Sequence, residues 1–226
     1  MNRKKIINQA TSYTTKLLRN RFGKGPEAVS IYLCEQCIVL HLKNFLSPVE
    51  KFLLSQEKEQ AFRYTRELIM KSMLPELRNF FTQQLDLKVV DLYYDWGMYN
   101  ASGVIVGLLD YDLYSHSEDY KGKEQLHEYI MKATTELQKP PTWIDSWWIN
   151  SKTLFILRKG TTILLEKELI SMGYEHMLRM TKGKIEKALL EQETNLEPLF
   201  NKKIADLYVD WSFENDHSMI MYTFEE

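Results

Sequence analysis

"KVVDLYYDW", residues 88–96, and "KIADLYVDW", residues 203–211, stand 115 positions apart, and five of their last six residues agree. Each alternates as a strand should. Leu92, Tyr94 and Trp96 point to one side, and Asp91, Tyr93 and Asp95 to the other; Leu207, Val209 and Trp211 oppose Asp206, Tyr208 and Asp210 in the same way. A strand that occurs twice raises the question of what else does.

Working outward, the same offset lays Gly25-Pro26 on Pro140-Pro141. "IVLHLK" (38–43) falls near "LFILRK" (154–159), and "VEK" (49–51) near "LEK" (165–167), at an offset of 116. Four matches in one order indicate an internal duplication. Each copy reads as α-ββ-α-ββ. Residues 3–21 carry Ile6, Ala10, Tyr13 and Leu17 at helical spacing, and the glycines and proline of "FGKGP" end that helix. "AVSIYL" and "CIVLHLKN" alternate as strands. "LSPVEK" opens a second helix, with Ser47 as N-cap, Pro48 at the first position and Glu50 as the return arm of a capping box. A charged helical stretch then runs to about Gln84, with a possible break near Ser55, and strands follow at 88–96 and 102–109. The second copy is expected to repeat this as helix 118–138, strands 142–149 and 152–159, helix 163–192 and strands 203–211 and 218–225. The expected fold class is α+β: two tandem repeats, 1–112 and 113–226, each a mainly antiparallel four-stranded sheet with helices on one face. The polar stretch "DYDLYSHSEDYKGKE" (110–124) would join them. A duplicated chain commonly descends from a homodimer, so an intramolecular pseudo-dimer is expected, with Trp143, Trp147 and Trp148 as the second copy's main contributors.

Composition narrows the function classes. The chain is 44% apolar, and its 29 basic residues nearly balance 31 acidic ones, which gives no overall pull toward nucleic acid or anionic lipid. The first residues, "MNRKKIINQATSYTTKLL", are too polar for a secretory signal, and no apolar run is long enough to span a bilayer. The expected place is the cytoplasm, without direct membrane insertion or nucleic-acid binding.

Several residue groups could carry chemistry. Cys34, Cys37 and His41 lie in "YLCEQCIVLHL" (32–42). A redox pair of the thioredoxin kind sits at a helix N-terminus, and this one lies between strands. Zinc takes four ligands, or three with an open position; Cys34, Cys37 and His41 offer at most three, and strand alternation puts Cys37 and His41 on one face, so a metal site there stays an alternative. The second copy has "INSK" (149–152) at that place, so neither cysteine is needed for the turn. Two small thiols flanking a hairpin turn over Glu35-Gln36 is the simplest reading, with Asn150-Ser151 as the matching turn. Asp91 with Asp95, and Asp206 with Asp210, could pair as acid and base or hold a divalent ion, or could form the solvated side of a half-buried strand. "WIDSWWIN" (143–150) could line a ligand groove or a partner surface, or fill the core. "NRFGKGP" (20–26) lacks the spacing of a P-loop and follows a helix, not a strand. No serine or cysteine nucleophile has a visible base and orienting group, and no cofactor is called for.

"GKGPEAV" (23–29), the strand pair after it, "FLSPVEKFL" (45–53), a helix bearing Arg66 and a strand ending in Asp95 together resemble the MpsC family over about residues 3–110. That family is named for a sodium-translocating, membrane-potential-generating system. The resemblance implies a soluble accessory protein with a protein partner such as a membrane transporter for cations or inorganic carbon. It brings no catalytic residues. The family-marking positions are Gly23, Gly25, Pro26, Pro48, Glu50, Arg66 and Asp95. The second copy departs where Gly25-Pro26 becomes Pro140-Pro141 and where the capping box becomes "TILL". The alternative from another class is a small-ligand or ion-sensing module, sited at the tryptophan-rich strand or the paired aspartates.

Overall fold

The structure, a computed structural model, describes residues 2–110, 119–193 and 196–225. The expected linker at 110–124 falls largely on residues 111–118, outside the described residues, and the helix expected from 118 begins only at Lys123, after a turn that ends in left-handed Gly122. The chain divides into two compact units, Met1–Tyr111 and Asp112–Glu226.

The first unit runs α1 (Arg3–Phe22), β1 (Ala28–Leu33), β2 (Cys37–Lys43), α2 (Pro48–Ser55), α3 (Glu59–Leu85), β3 (Val89–Gly97) and β4 (Ser102–Leu109). Its four strands lie in the order β1-β2-β4-β3, all antiparallel. Two hairpins are thus joined through their second strands. Asn2 caps α1 by accepting from the Lys4 amide, and Gly23 ends it in the left-handed region at φ 72°. One apolar core joins α1 and α3 to one side of the sheet: Leu17, Leu18, Met70, Leu77 and Phe81 meet Ile38, Leu40, Tyr94, Trp96 and Ile105. Leu92, Tyr94 and Trp96 therefore face the helices, and Asp91, Tyr93 and Asp95 the other side.

The second unit runs α4 (Lys123–Leu137), β5 (Trp143–Asn150), β6 (Thr153–Lys159), α5 (Leu164–Ser171), α6 (Glu175–Glu193), α7 (Leu196–Phe200), β7 (Ile204–Ser212) and β8 (His217–Phe224). Its sheet has the same order, β5-β6-β8-β7, and the same antiparallel pairing. Leu126, Ile130 and Leu190 pack on Leu154, Ile156, Val209, Trp211 and Ile220.

The repetition reaches single backbone angles. Left-handed residues recur at Asn44 and Gly160, at Asp86 and Asn201, and at Ala101 and Asp216. A β-bulge falls between Val89 and Asp91 and again between Ile204 and Asp206. Both long helical stretches are broken after eight residues, at Ser55 and at Ser171, where the chain turns from α2 into α3 and from α5 into α6. One expected turn is displaced: the second hairpin turns over Ser151-Lys152, because a bulge between Trp148 and Asn150 adds a residue to β5.

Candidate functional site

Glu50 and Arg66 are sixteen residues apart and meet inside the first unit. The helix start fixes Glu50. Ser47 accepts from the Glu50 amide at 3.3 Å, and Glu50 Oε2 accepts from the Ser47 amide at 2.7 Å, which completes the capping box. The carboxylate so placed accepts from Arg66 on α3 twice, Nε to Oε1 at 2.7 Å and Nη2 to Oε2 at 3.1 Å. Arg66 Nη2 also donates to the Phe45 carbonyl. Arg66 is only 1% exposed. Its guanidinium lies 4.1 Å from the Trp96 ring, 4.9 Å from those of Phe45 and Phe62, and 5.4 Å from that of Phe22. Burial pushes the Arg66 pKa down, against the opposing pull of Glu50. Gly103, paired with Trp96 across β3 and β4, makes room for the ring, since a Cβ there would run into it.

The second unit repeats the arrangement with different residues. Glu166 accepts from the Ile163 amide at 3.0 Å and from Lys182 Nζ at 2.7 Å, again sixteen residues on. Lys182 Nζ stands 5.2 Å from the Trp211 ring and 5.8 Å from that of Phe213. Burial lowers the Lys182 pKa, and Glu166 opposes the shift. The structure thus aligns Ser47–Glu50 with Ile163–Glu166, one position beyond "TILL". The serine and proline are lost, but the glutamate and its half of the capping box are kept.

A second buried charge pair has no counterpart in the first unit. Arg158 on β6 and Glu186 on α6 approach to 2.5 Å, and Arg158 Nη1 donates to Thr134 Oγ1 at 2.7 Å. They stand where the first unit has Leu42 and Met70, both core residues.

These pairs explain an unusual pair of helices. In α2, "PVEKFLLS", the only buried residue is Glu50; in α5, "LLEKELIS", it is Glu166. An ordinary surface helix turns its apolar stripe inward. Here the acid goes in and apolar side chains stay out: Val49 is 67% exposed, Phe52 62%, Leu164 82% and Leu165 65%. Met172, Tyr174 and Met177, on the turn after α5 and the start of α6, add to the exposed apolar surface. Eight residues are too few to hold a helix in water unaided. The buried carboxylate–cation bridge ties each short helix to the longer one after it.

Of the other positions singled out in the sequence, Pro48 begins α2, and Pro26 is buried between α1 and β1. Asp95 Oδ1 accepts from the Trp96 amide at 2.7 Å and Asp210 Oδ1 from the Trp211 amide at 2.8 Å, so each holds its strand beside the cation-bearing tryptophan. Asp210 also receives Arg179. Asp91 and Asp206 follow the two bulges. Trp148 packs in the second core against Phe200 and Phe224, Trp147 lies over Phe155, and Trp143 stacks under Lys159. Cys34 and Cys37 flank the first hairpin turn. His41 is four residues further along β2, and among the described residues no cluster of three or more metal-ligating side chains forms. A hydrogen-bonded group unforeseen in the sequence joins α4 to β5. Ser146 Oγ lies 2.8 Å from His127 Nε2 and 2.5 Å from Tyr120 Oη. Burial foremost, then the Lys123 charge, lowers the His127 pKa.

Among the described residues, no helix is long and apolar enough to cross a membrane. No curated protein and no solved structure matches the chain. The family model described as "Na+-translocating membrane potential-generating system (MpsC)" matches residues 2–111. That span takes in α1 to β4, with Glu50, Arg66 and Trp96, so the first unit of this chain is similar to the MpsC family along its described length.

Proposed function

We propose that the chain is a non-catalytic accessory protein of a membrane system that moves cations, and that it docks from the cytoplasm on a membrane protein through the outward apolar sides of α2 and α5. The observation that carries this reading is the inverted orientation of those two helices. Exposing Val49, Phe52, Leu164 and Leu165 in water while sinking a glutamate costs free energy on both counts. An arrangement of that kind, repeated in both units, fits a surface kept for a partner. The family description supplies the membrane system.

A photoreactive amino acid placed at position 52, and separately at 165, tests the reading on native membranes. The expected result is an adduct with an integral membrane protein from both positions and none from exposed position 88. Adducts from all three positions alike, or from position 88 alone, would contradict it, as would their absence from 52 and 165.

A further inference from the structure

Cys34 and Cys37 do more than flank the β1–β2 turn. Their sulfurs lie 2.9 Å apart, and both are thiols in this structure. The turn holds them there. The Cys34 amide donates to the Cys37 carbonyl at 2.9 Å, Cys34 Sγ reaches the same carbonyl at 3.1 Å, and the strand register continues from Leu33 opposite Ile38. The Gln36 carbonyl inside the turn accepts from the Leu109 amide at 2.8 Å, which ties the tip to β4. Opposed hydrogen-bonded residues of an antiparallel pair have Cα atoms about 5.5 Å apart, inside the span that a disulfide bridges. An S–S bond of about 2.05 Å then asks for less than about 1 Å of further approach.

We infer that Cys34 and Cys37 form a dithiol site for thiol–disulfide exchange, closing to an intramolecular disulfide across the β1–β2 turn when a small-molecule disulfide is the oxidant. Their accessibilities divide the work. Cys34 is partly exposed and Cys37 buried, so Cys34 meets the reagent first. Arg3 donates to the carbonyl of Leu33, the residue before Cys34, at 2.5 Å. The Cys34 thiolate attacks one sulfur of the reagent, forms a mixed disulfide and expels the first thiolate. The Cys37 thiolate then attacks Cys34 Sγ and expels the second. The two cysteine protons end on the two leaving thiolates, the protein is oxidised by two electrons, and the reagent is reduced by two. In a reducing compartment the resting form is the dithiol. The second unit has Asn150 and Thr153 on the two sides of its turn, so the site belongs to the first unit alone. This inference stands apart from the docking reading.

The test uses the full-length chain. The reduced protein is equilibrated in buffers of graded glutathione to glutathione disulfide ratio, quenched in acid and urea, alkylated with N-ethylmaleimide and weighed by intact-mass spectrometry. Expected is one transition, as the buffer becomes more oxidising, from a doubly alkylated species to one that takes no maleimide and lacks two hydrogens. In Cys37→Ser the glutathione adduct on Cys34 should persist, because nothing remains to resolve it. A wild type that keeps two maleimides at every ratio would overturn the inference. So would a wild type that accumulates the mixed disulfide as Cys37→Ser does, or that forms disulfides only between chains.

Discussion

Lys182 occupies in the second unit the place that Arg66 occupies in the first: each is sixteen residues beyond a buried glutamate, bonded to it at 2.7 Å, with its charge over the tryptophan one residue from the end of β3 or β7. The two side chains differ in shape. Arg66 bonds both oxygens of Glu50 and lies 4.1 Å from the Trp96 ring, whereas Lys182 makes one bond to Glu166 and stands 5.2 Å from the Trp211 ring. A planar fork and a point charge thus serve the same bridge with unequal grip.

Removing the cation leaves a carboxylate stranded in the interior. Arg66→Met should cost about 3–5 kcal/mol of stability, the usual range for breaking a buried ion pair from one side. Arg66→Lys should cost less, because the second unit holds its glutamate with lysine. Urea denaturation followed by tryptophan fluorescence reads both variants. An Arg66→Met midpoint equal to that of the parent would contradict the bridge.

The Arg158–Glu186 pair can be replaced by what the first unit already uses. The double substitution Arg158→Leu with Glu186→Met installs the residue types that the first unit has there, Leu42 and Met70, and an apolar replacement of a buried ion pair is neutral or stabilising by about 1–4 kcal/mol. Arg158→Leu alone should instead destabilise by about 3–5 kcal/mol. Calorimetric unfolding of the single and double variants separates the cases. A double variant weaker than either single one would be the contrary result.

His127 should make the second unit sensitive to acid. Its pKa in the folded chain is lowered from 6.5 by burial and by Lys123. Between that lowered value and 6.5 the unfolded chain binds more protons than the folded one, so stability rises with pH there. Read downward, stability is lost as pH falls from 6.5 through the folded pKa. His127→Gln should flatten that part of the profile. Melting temperatures recorded from pH 7 to 4.5 check this, and an unchanged slope in His127→Gln would count against it.

Much of the fold was legible. "DLYYDW" and "DLYVDW" showed the duplication, and alternation within them put Trp96 with Leu92 and Tyr94, and Trp211 with Leu207 and Val209, on one side, which the structure turns toward the helices. The charged bridge was only half legible. Glu50 was visible as part of a capping box, and Arg66 as a family-marking residue, but nothing local joined them, because the contact spans sixteen residues and a helix break. The repeat held a usable signal: an acid and a base at the same interval in both copies. A serine and a proline frame the first glutamate and neither frames the second, which hid it. The outward face of α2 and α5 was illegible for another reason. Helical periodicity shows which side chains share a face, while burial depends on what packs there, and in "PVEKFLLS" a buried salt bridge, not the leucines, turns the helix. The sulfur contact of Cys34 and Cys37 likewise follows from turn geometry that the CxxC spacing alone does not fix.

Docking through α2 and α5 is tested most directly by binding of the purified chain to native membrane vesicles, comparing the parent with the double variant Phe52→Glu and Leu165→Glu. Both positions are exposed, so the variant should melt at the temperature of the parent. The expected result is saturable binding of the parent that is abolished by protease treatment of the vesicles, and at least a tenfold weaker affinity for the variant, equivalent to about 1.4 kcal/mol. Equal affinity of parent and variant, or equal binding of the parent to protein-free liposomes of the same lipids, would contradict it.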